Sequence, residues 1–570
     1  MIRSAVLLAG LAGLFTIGLT AQPRPGQQND VMFDLIIAGG RVVDGTGTPW
    51  FRADVGVRGD RIAAIGDLAQ AAARGRIDAT NLVVAPGFID MLGQSEFNVL
   101  VDNRAASKIT QGVTTEVTGE GSSIAPVNDR MLRDTAATYS HFRVVADWRT
   151  LGEYFARLDQ RTHPAINVAT FVGAGGLRDY VIGRDDRPAT PSELEQMKSL
   201  AAQAMEDGAL GVSSSLQYVP DRFASTAELV ALAKVARRYG GIYITHRRWE
   251  GSHLQEAIDE VVAVATQAQI PAEIYHLKAA YRQNWGKMPA LLQRLEQERA
   301  RGIDITADMY PYTRSSNSLD ACLPPWVHEG GVDKMIARLK DPALRERIKR
   351  ELADAEATSW ENQWAGAGGG AGILLVAVLK EDLKKFEGMT LDDIGRQLGL
   401  DPRDALMNLV VQDRGNSAIV ASTMNEDDVR AALKSRLVSI GTDSGAKALD
   451  GPMSESRSHP RGWGSFPRVL GKYVREEGLL PLEEAIRKMT SQPAARVHLD
   501  DRGILRPGMA ADITVFDPET IRDRSTFDQP AQYSEGVKYV VVNGRLVVSN
   551  GAITGERPGR ALRGPGASRR

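Results

Sequence analysis

Cysteine is almost missing from this sequence: Cys322 stands alone among 570 residues. No intrachain disulfide and no multi-cysteine metal site can form, so stability must come from a buried core. Net charge is nearly missing as well, since 69 Lys and Arg face 71 Asp and Glu, which leaves -2. Such a balance excludes the broad basic field that draws proteins to nucleic acid or anionic membranes, and makes a small molecule the natural partner. A membrane-spanning run is absent at the N-terminus, where the apolar stretch over residues 5–19 falls short of the roughly 20 residues needed. With Arg3 before it and Thr20, Ala21 and Gln22 after it, residues 1–21 read as a signal peptide; a short anchor or a buried helix is the alternative. The chain is therefore expected to be exported, periplasmic or secreted, and free of the membrane after cleavage. No cysteine follows the run to carry a lipid.

What is present is an ordinary globular composition, 43% hydrophobic and 25% charged, in a chain long enough for one large domain with appendages. Residues 32–86 read as short hairpins of a small sheet, with turns at Gly39-Gly40 and Gly59-Asp60. A matching β signature returns over 501–555, with an Asn543-Gly544 hairpin turn. The two terminal pieces are expected to pair into one small β domain.

Between them, over 87–500, apolar β-rich segments alternate with helical stretches, the pattern of repeated β/α units. Candidate strands lie at 87–89, 114–118, 167–172, 210–213, 243–245, 272–275, 303–307, 418–421 and 437–440. The expected fold class is α/β, a (β/α)₈ TIM-like barrel, because such a barrel collects site residues from many strand ends. Residues 317–416 read as an insertion whose glycine-rich run, 366–372, forms a flexible loop. The Arg-, Gly- and Pro-rich tail over 556–570 reads as disordered.

Two candidate strands end on histidine, in Ile244-Thr245-His246 and Ile274-Tyr275-His276. Neutral imidazoles at the carboxyl ends of neighbouring barrel strands can converge on one zinc ion, although a lone strand-end histidine more often makes a hydrogen bond. A later candidate strand leads into Asp443, and a carboxylate there can accept a proton from a metal-bound water and return it to a leaving amine. Capping a turn or helix is the plainer role for such an aspartate.

Taken in order, several segments resemble the amidohydrolase superfamily, and within it the D-aminoacylase or N-acyl-D-amino-acid deacylase group. They are residues 34–45, Pro86-Gly87-Phe88-Ile89-Asp90, Gly112-Val113-Thr114-Thr115, 307–312, 459–468 and Gly508-Met509-Ala510-Ala511-Asp512. The resemblance implies a zinc-dependent hydrolase that cleaves N-acyl-D-amino acids to a carboxylate and a free D-amino acid. It implies His246 and His276 as zinc ligands, Asp443 as catalytic acid and base, and Lys278, Tyr310 and Arg461 as substrate-binding residues. Those residue types suit the task. A guanidinium grips a carboxylate through two N–H groups, an ammonium adds a point charge, and a phenol can donate to an oxyanion. Surface solvation of the cations and core packing of the tyrosine are the alternatives.

The sequence departs from the family where a first-strand His-x-His would stand, since Leu92 and Gln94 occupy those places. Leucine cannot ligate, and a neutral amide oxygen is a weak zinc donor. The family's cysteine ligand is missing too, with Glu120 within one residue of its place. A carboxylate is an acceptable substitute, so the expected site is Glu120, His246 and His276 around one zinc ion; a solvated loop charge is the other reading of Glu120. No lysine closes the fourth strand to carry a carbamate bridge between two metals. Two further readings stay open: an amidohydrolase for a dipeptide or cyclic imide, and a metal-free relative that binds acylated amino acids.

Overall fold

The computed structural model describes residues 32–355, 359–455 and 457–567; the expected leader over 1–21 lies outside them. Eight parallel strands form the central barrel: Phe88–Asp90, Val113–Thr118, Asn167–Thr170 continued by Val172–Gly173, Gly211–Ser215, Ile242–His246, Ala272–Ile274, Ile305–Met309 and Val438–Ile440. The third strand is interrupted at Phe171, and Leu210 N donates to Thr170 O across that break. The eighth returns to the first through Met91 N to Ile440 O (3.3 Å) and Asp443 N to Leu92 O (2.7 Å).

The helices between strands are cut where the sequence provides caps. Pro191–Asp207 starts on Thr190, whose side chain accepts from Glu193 N while the Glu193 carboxylate accepts from Thr190 N, and it ends at Gly208 with φ 119°. Its neighbour Thr226–Arg238 turns Leu229, Leu232, Ala233 and Ala236 inward, one stripe at helical spacing.

The seam between first and last strands holds a buried charge. Lys108 Nζ donates to Asp90 Oδ2 (2.7 Å), Thr442 Oγ1 (2.7 Å) and Ser444 O (2.6 Å), with Glu116 Oε1 at 3.4 Å, and none of the three charged side chains is exposed. Lys108→Met would strand two carboxylates in the core. Breaking such a group costs about 3–5 kcal/mol, so urea titration is expected to show that loss, and a change under about 1 kcal/mol would refute a structural role for the cation.

Both chain ends build the small β domain. Val83–Pro86 pairs antiparallel with Ile513–Phe516, which joins the N-terminal strands to Val537–Val542 and Arg545–Ser549 in one sheet. Asn543 and Gly544, both at positive φ, make the expected hairpin turn. The Gly39-Gly40 pair is not a turn: Phe33–Val42 is one strand, with a register shift between Ile37 and Gly40 and Asp54 Oδ1 accepting from Gly39 N (2.7 Å). Glycine there makes a bulge.

Three further expectations are corrected. Ala418–Ser422 is not a barrel strand; it is the middle strand of a three-stranded antiparallel sheet with Arg314–Ser318 and Ile373–Ala377. The excursion from the barrel thus spans 314–422 and has its own hydrophobic cluster around Leu375, Leu406 and Ile419. Its glycine run is a folded turn in which Gly368 and Gly369 take positive φ and Gly372 sits against Ala367 O. The described part of the tail packs on the barrel: Ala561 bridges Val168 in parallel, and Ala561 and Leu562 are buried. Composition misled here, because a side chain at Gly559, Gly564 or Gly566 would collide with the Ile166, Ala209 or Met205 carbonyl. Those glycines permit close backbone approach under the barrel, not disorder.

Candidate metal centre

All seven residues singled out from the sequence line one cavity of about 280 Å³ at the carboxyl end of the barrel. Glu120 follows the second strand, His246 ends the fifth, His276 lies just past the sixth, and Asp443 follows the eighth. His276 and Asp443 adopt φ of 33° and 47°, a left-handed backbone that is costly for residues with a Cβ and that concentrates at functional sites. Hydrogen bonds hold both: His276 N donates to Asp308 Oδ1 (2.9 Å), and Asp443 N to Leu92 O (2.7 Å).

Glu120, His246 and His276 offer one carboxylate oxygen and two ring nitrogens, all within 4.8 Å of one another. Glu120 Oε1 lies 2.9 Å from His246 Nδ1 and 3.1 Å from His276 Nε2. Zinc bonds of 2.0–2.1 Å in a tetrahedron need donors about 3.3 Å apart, so small adjustments would seat the ion. The donor set suits zinc, and no other such cluster occurs among the described residues. Burial opposes charge on Glu120, yet its hydrogen bonds to both imidazoles hold its carboxyl below the usual carboxylate range. Burial likewise opposes a charged His246, but Glu250 and Glu120 push its pKa up to about 9. Capture of a divalent cation here releases protons, and therefore weakens as pH falls.

Where the family pattern would put two histidines, the structure places other chemistry. Leu92 is buried in an apolar cluster with Ile89, Val117 and Tyr275. Gln94 enters the cavity and donates to Glu120 Oε2 (2.6 Å), with Asp443 Oδ1 at 3.5 Å. Asp443 Oδ2 is 2.7 Å from Arg461 Nη1. Burial raises the Asp443 pKa against the pull of Arg461. The Arg461 guanidinium lies 4.5 Å from the Tyr310 ring centroid, and both side chains are buried.

Sequence reasoning missed Glu250, Gln217 and Asn317. Glu250 contacts Lys278 Nζ at 2.8 Å and both histidines at 3.2 and 3.4 Å. Its position four residues after His246 was the only available signal. Gln217 Oε1 lies 3.0 Å from His246 Nε2. Asn317, with Ser315, Ser316 and Ser318, comes from the excursion and walls one side of the cavity.

Residues 76–548 match the model of the amidohydrolase family. The D-aminoacylase of Alcaligenes xylosoxydans xylosoxydans is 36% identical, over 94% of this chain and 99% of its own length. A D-aminoacylase structure, described for its binuclear metal centre with one-metal activation and second-metal attenuation, superposes with a TM-score of 0.78. It is 33% identical and covers 93% of this chain and all of the other. The N-acyl-D-glutamate deacylase of Bordetella bronchiseptica, solved with zinc and a phosphonate inhibitor, gives 0.77 at 33% identity, covering 94% and 100%. The convergent donor set and these likenesses agree: the chain belongs to the amidohydrolase family, in the group of D-aminoacylases and N-acyl-D-amino-acid deacylases.

Proposed function

We propose that this chain hydrolyses N-acyl-D-amino acids to a carboxylate and a free D-amino acid, using one zinc ion held by Glu120, His246 and His276. The observation that carries the reading is the meeting of those three donors with Asp443, Arg461 and Lys278 in a single cavity. When bound, zinc polarises the acyl carbonyl and acidifies a water molecule. Asp443 Oδ1 is the oxygen turned from Arg461; it takes the proton of the attacking water and passes it to the leaving nitrogen. Arg461 and Lys278 hold the substrate carboxylate. The Tyr310 hydroxyl, in the same cavity, donates to the oxygen that gains charge.

A single ion is supported by what stands in place of the first-strand histidine pair: a packed leucine and an amide bonded to Glu120. Purified protein should contain about one zinc per chain and release amine from N-acetyl-D-amino acids in preference to their L-enantiomers. Equal turnover of the L series would overturn the D-assignment, and two tightly held ions would overturn the single-metal reading.

Export is part of the proposal and is supported by the residue pattern over 1–21. N-terminal sequencing of protein recovered from an expressing bacterium should begin near Gln22; an intact Met1 would refute it.

A further inference from the structure

The proposed metal site uses the ring nitrogens of the two histidines that meet Glu120, but the other nitrogen of each ring is as closely surrounded. There the buried Glu250 carboxylate places Oε1 3.2 Å from His276 Nδ1 and Oε2 3.4 Å from His246 Nε2. These are the two ring nitrogens turned away from Glu120, and His246 Nε2 also meets Gln217 Oε1 at 3.0 Å. Lys278 Nζ lies 2.8 Å from Glu250 Oε1 and 2.6 Å from His276 Nδ1, and it lines the same cavity as Glu120 and Asp443. Glu250 lines the cavity paired to that cation and lies outside the donor cluster of Glu120, His246 and His276.

The loop bearing Glu250 is itself held from outside the barrel. Glu361, in the excursion over 314–422, accepts from three successive backbone N–H groups: Glu250 N (2.9 Å) and Gly251 N (3.2 Å) at Oε2, and Ser252 N (3.4 Å) at Oε1. A side chain at position 251 would collide with Tyr281 and with the Glu361 carboxylate, so glycine is what lets the two segments meet. On the other flank, Glu250 O accepts from Ala280 N (2.7 Å), and Arg247 Nη2 donates to Lys278 O (2.8 Å).

We infer that Glu250 and Glu361 are positioning residues of the metal centre. Glu250 holds the orientation of both imidazoles, sharing His246 Nε2 with Gln217 and His276 Nδ1 with Lys278, and Glu361 transmits that constraint from the excursion. An imidazole that presents one nitrogen to a metal needs its other N–H held by an acceptor, and loss of the acceptor costs about 10–100-fold in metal affinity. One carboxylate that reaches both rings places a share of that cost for each ring at one position. The inference rests on the metal-centre reading above.

The test is zinc affinity of the full chain, by competition with a chromophoric chelator, together with the visible spectrum of the cobalt-substituted protein. Glu250→Gln is expected to weaken zinc binding about 10–100-fold and to shift the cobalt bands. Glu361→Gln should move both in the same direction by less, while melting of the metal-free proteins stays that of the parent. Affinity within about twofold of the parent, with unchanged cobalt bands, in both variants would overturn the inference. If Glu250→Gln does not fold, Glu250→Asp replaces it. That variant keeps the charge but withdraws it from the rings, and the same loss is expected; parent-like affinity overturns the proposal. A parent chain that binds no zinc overturns the metal-centre reading as well, which separates the two failures.

Discussion

Glu120→Ala should leave a folded chain that loses its zinc on dialysis and has a kcat/KM lower by about 10³-fold or more. The substitution removes the one carboxylate of the donor set and leaves two imidazoles, which are too few to hold zinc. The rate estimate comes from the several kcal/mol that a bound metal contributes to charge stabilisation, at 1.36 kcal/mol per factor of ten. Glu120 also spaces its neighbours, since it bonds His246, His276 and Gln94. Glu120→Gln separates the two roles: it keeps the shape and loses the charge, so zinc retention should fall nearly as far. Metal content by mass spectrometry decides. Unchanged zinc in Glu120→Ala would mean that other groups hold the ion, and the proposed donor set would fall.

Asp443→Asn should have the opposite signature, with zinc retained and kcat down about 10²–10⁴-fold, the range for removal of a general acid–base group. Asparagine occupies the same space, can keep the backbone bond to Leu92 O, and can accept from Arg461, but it cannot take a proton. KM should change little, because Arg461 and Lys278 remain to hold the substrate carboxylate. The pH profile of kcat should also lose the limb that belongs to this carboxyl. Loss of zinc in Asp443→Asn would make Asp443 a ligand, and an unchanged kcat would remove it from proton transfer altogether.

Much of the barrel was legible because its strands are short apolar segments bounded by turn residues, and because strand ends are where such barrels keep their chemistry. His246, His276 and Asp443 could be read in this way: each sits at or just beyond a strand end. The 418–421 segment was misassigned for the same reason, since periodicity reports β structure without saying which sheet a strand joins. Gly39-Gly40 and the glycines of the tail looked like turn and disorder signals. Glycine in fact marks a bulge at one site and backbone-to-backbone contact at the other. Local composition cannot tell these uses apart, because the distinguishing atom belongs to a distant segment.

The sequence by itself determined the class of chain, the paired terminal β segments, the strand-end histidines, and the absence of the histidine pair at positions 92 and 94. Each depends on residue type and local order, and so survives without knowledge of contacts. Only the tertiary structure decided that Glu120 reaches both histidines, that Gln94 enters the cavity, and that Glu250 meets the histidines while Glu361 holds its loop. Glu120 and His276 are 156 positions apart, and Glu250 and Glu361 are 111 apart. Loop side chains with no periodic pattern meet only when the barrel closes, and closure is a property of all eight strands together.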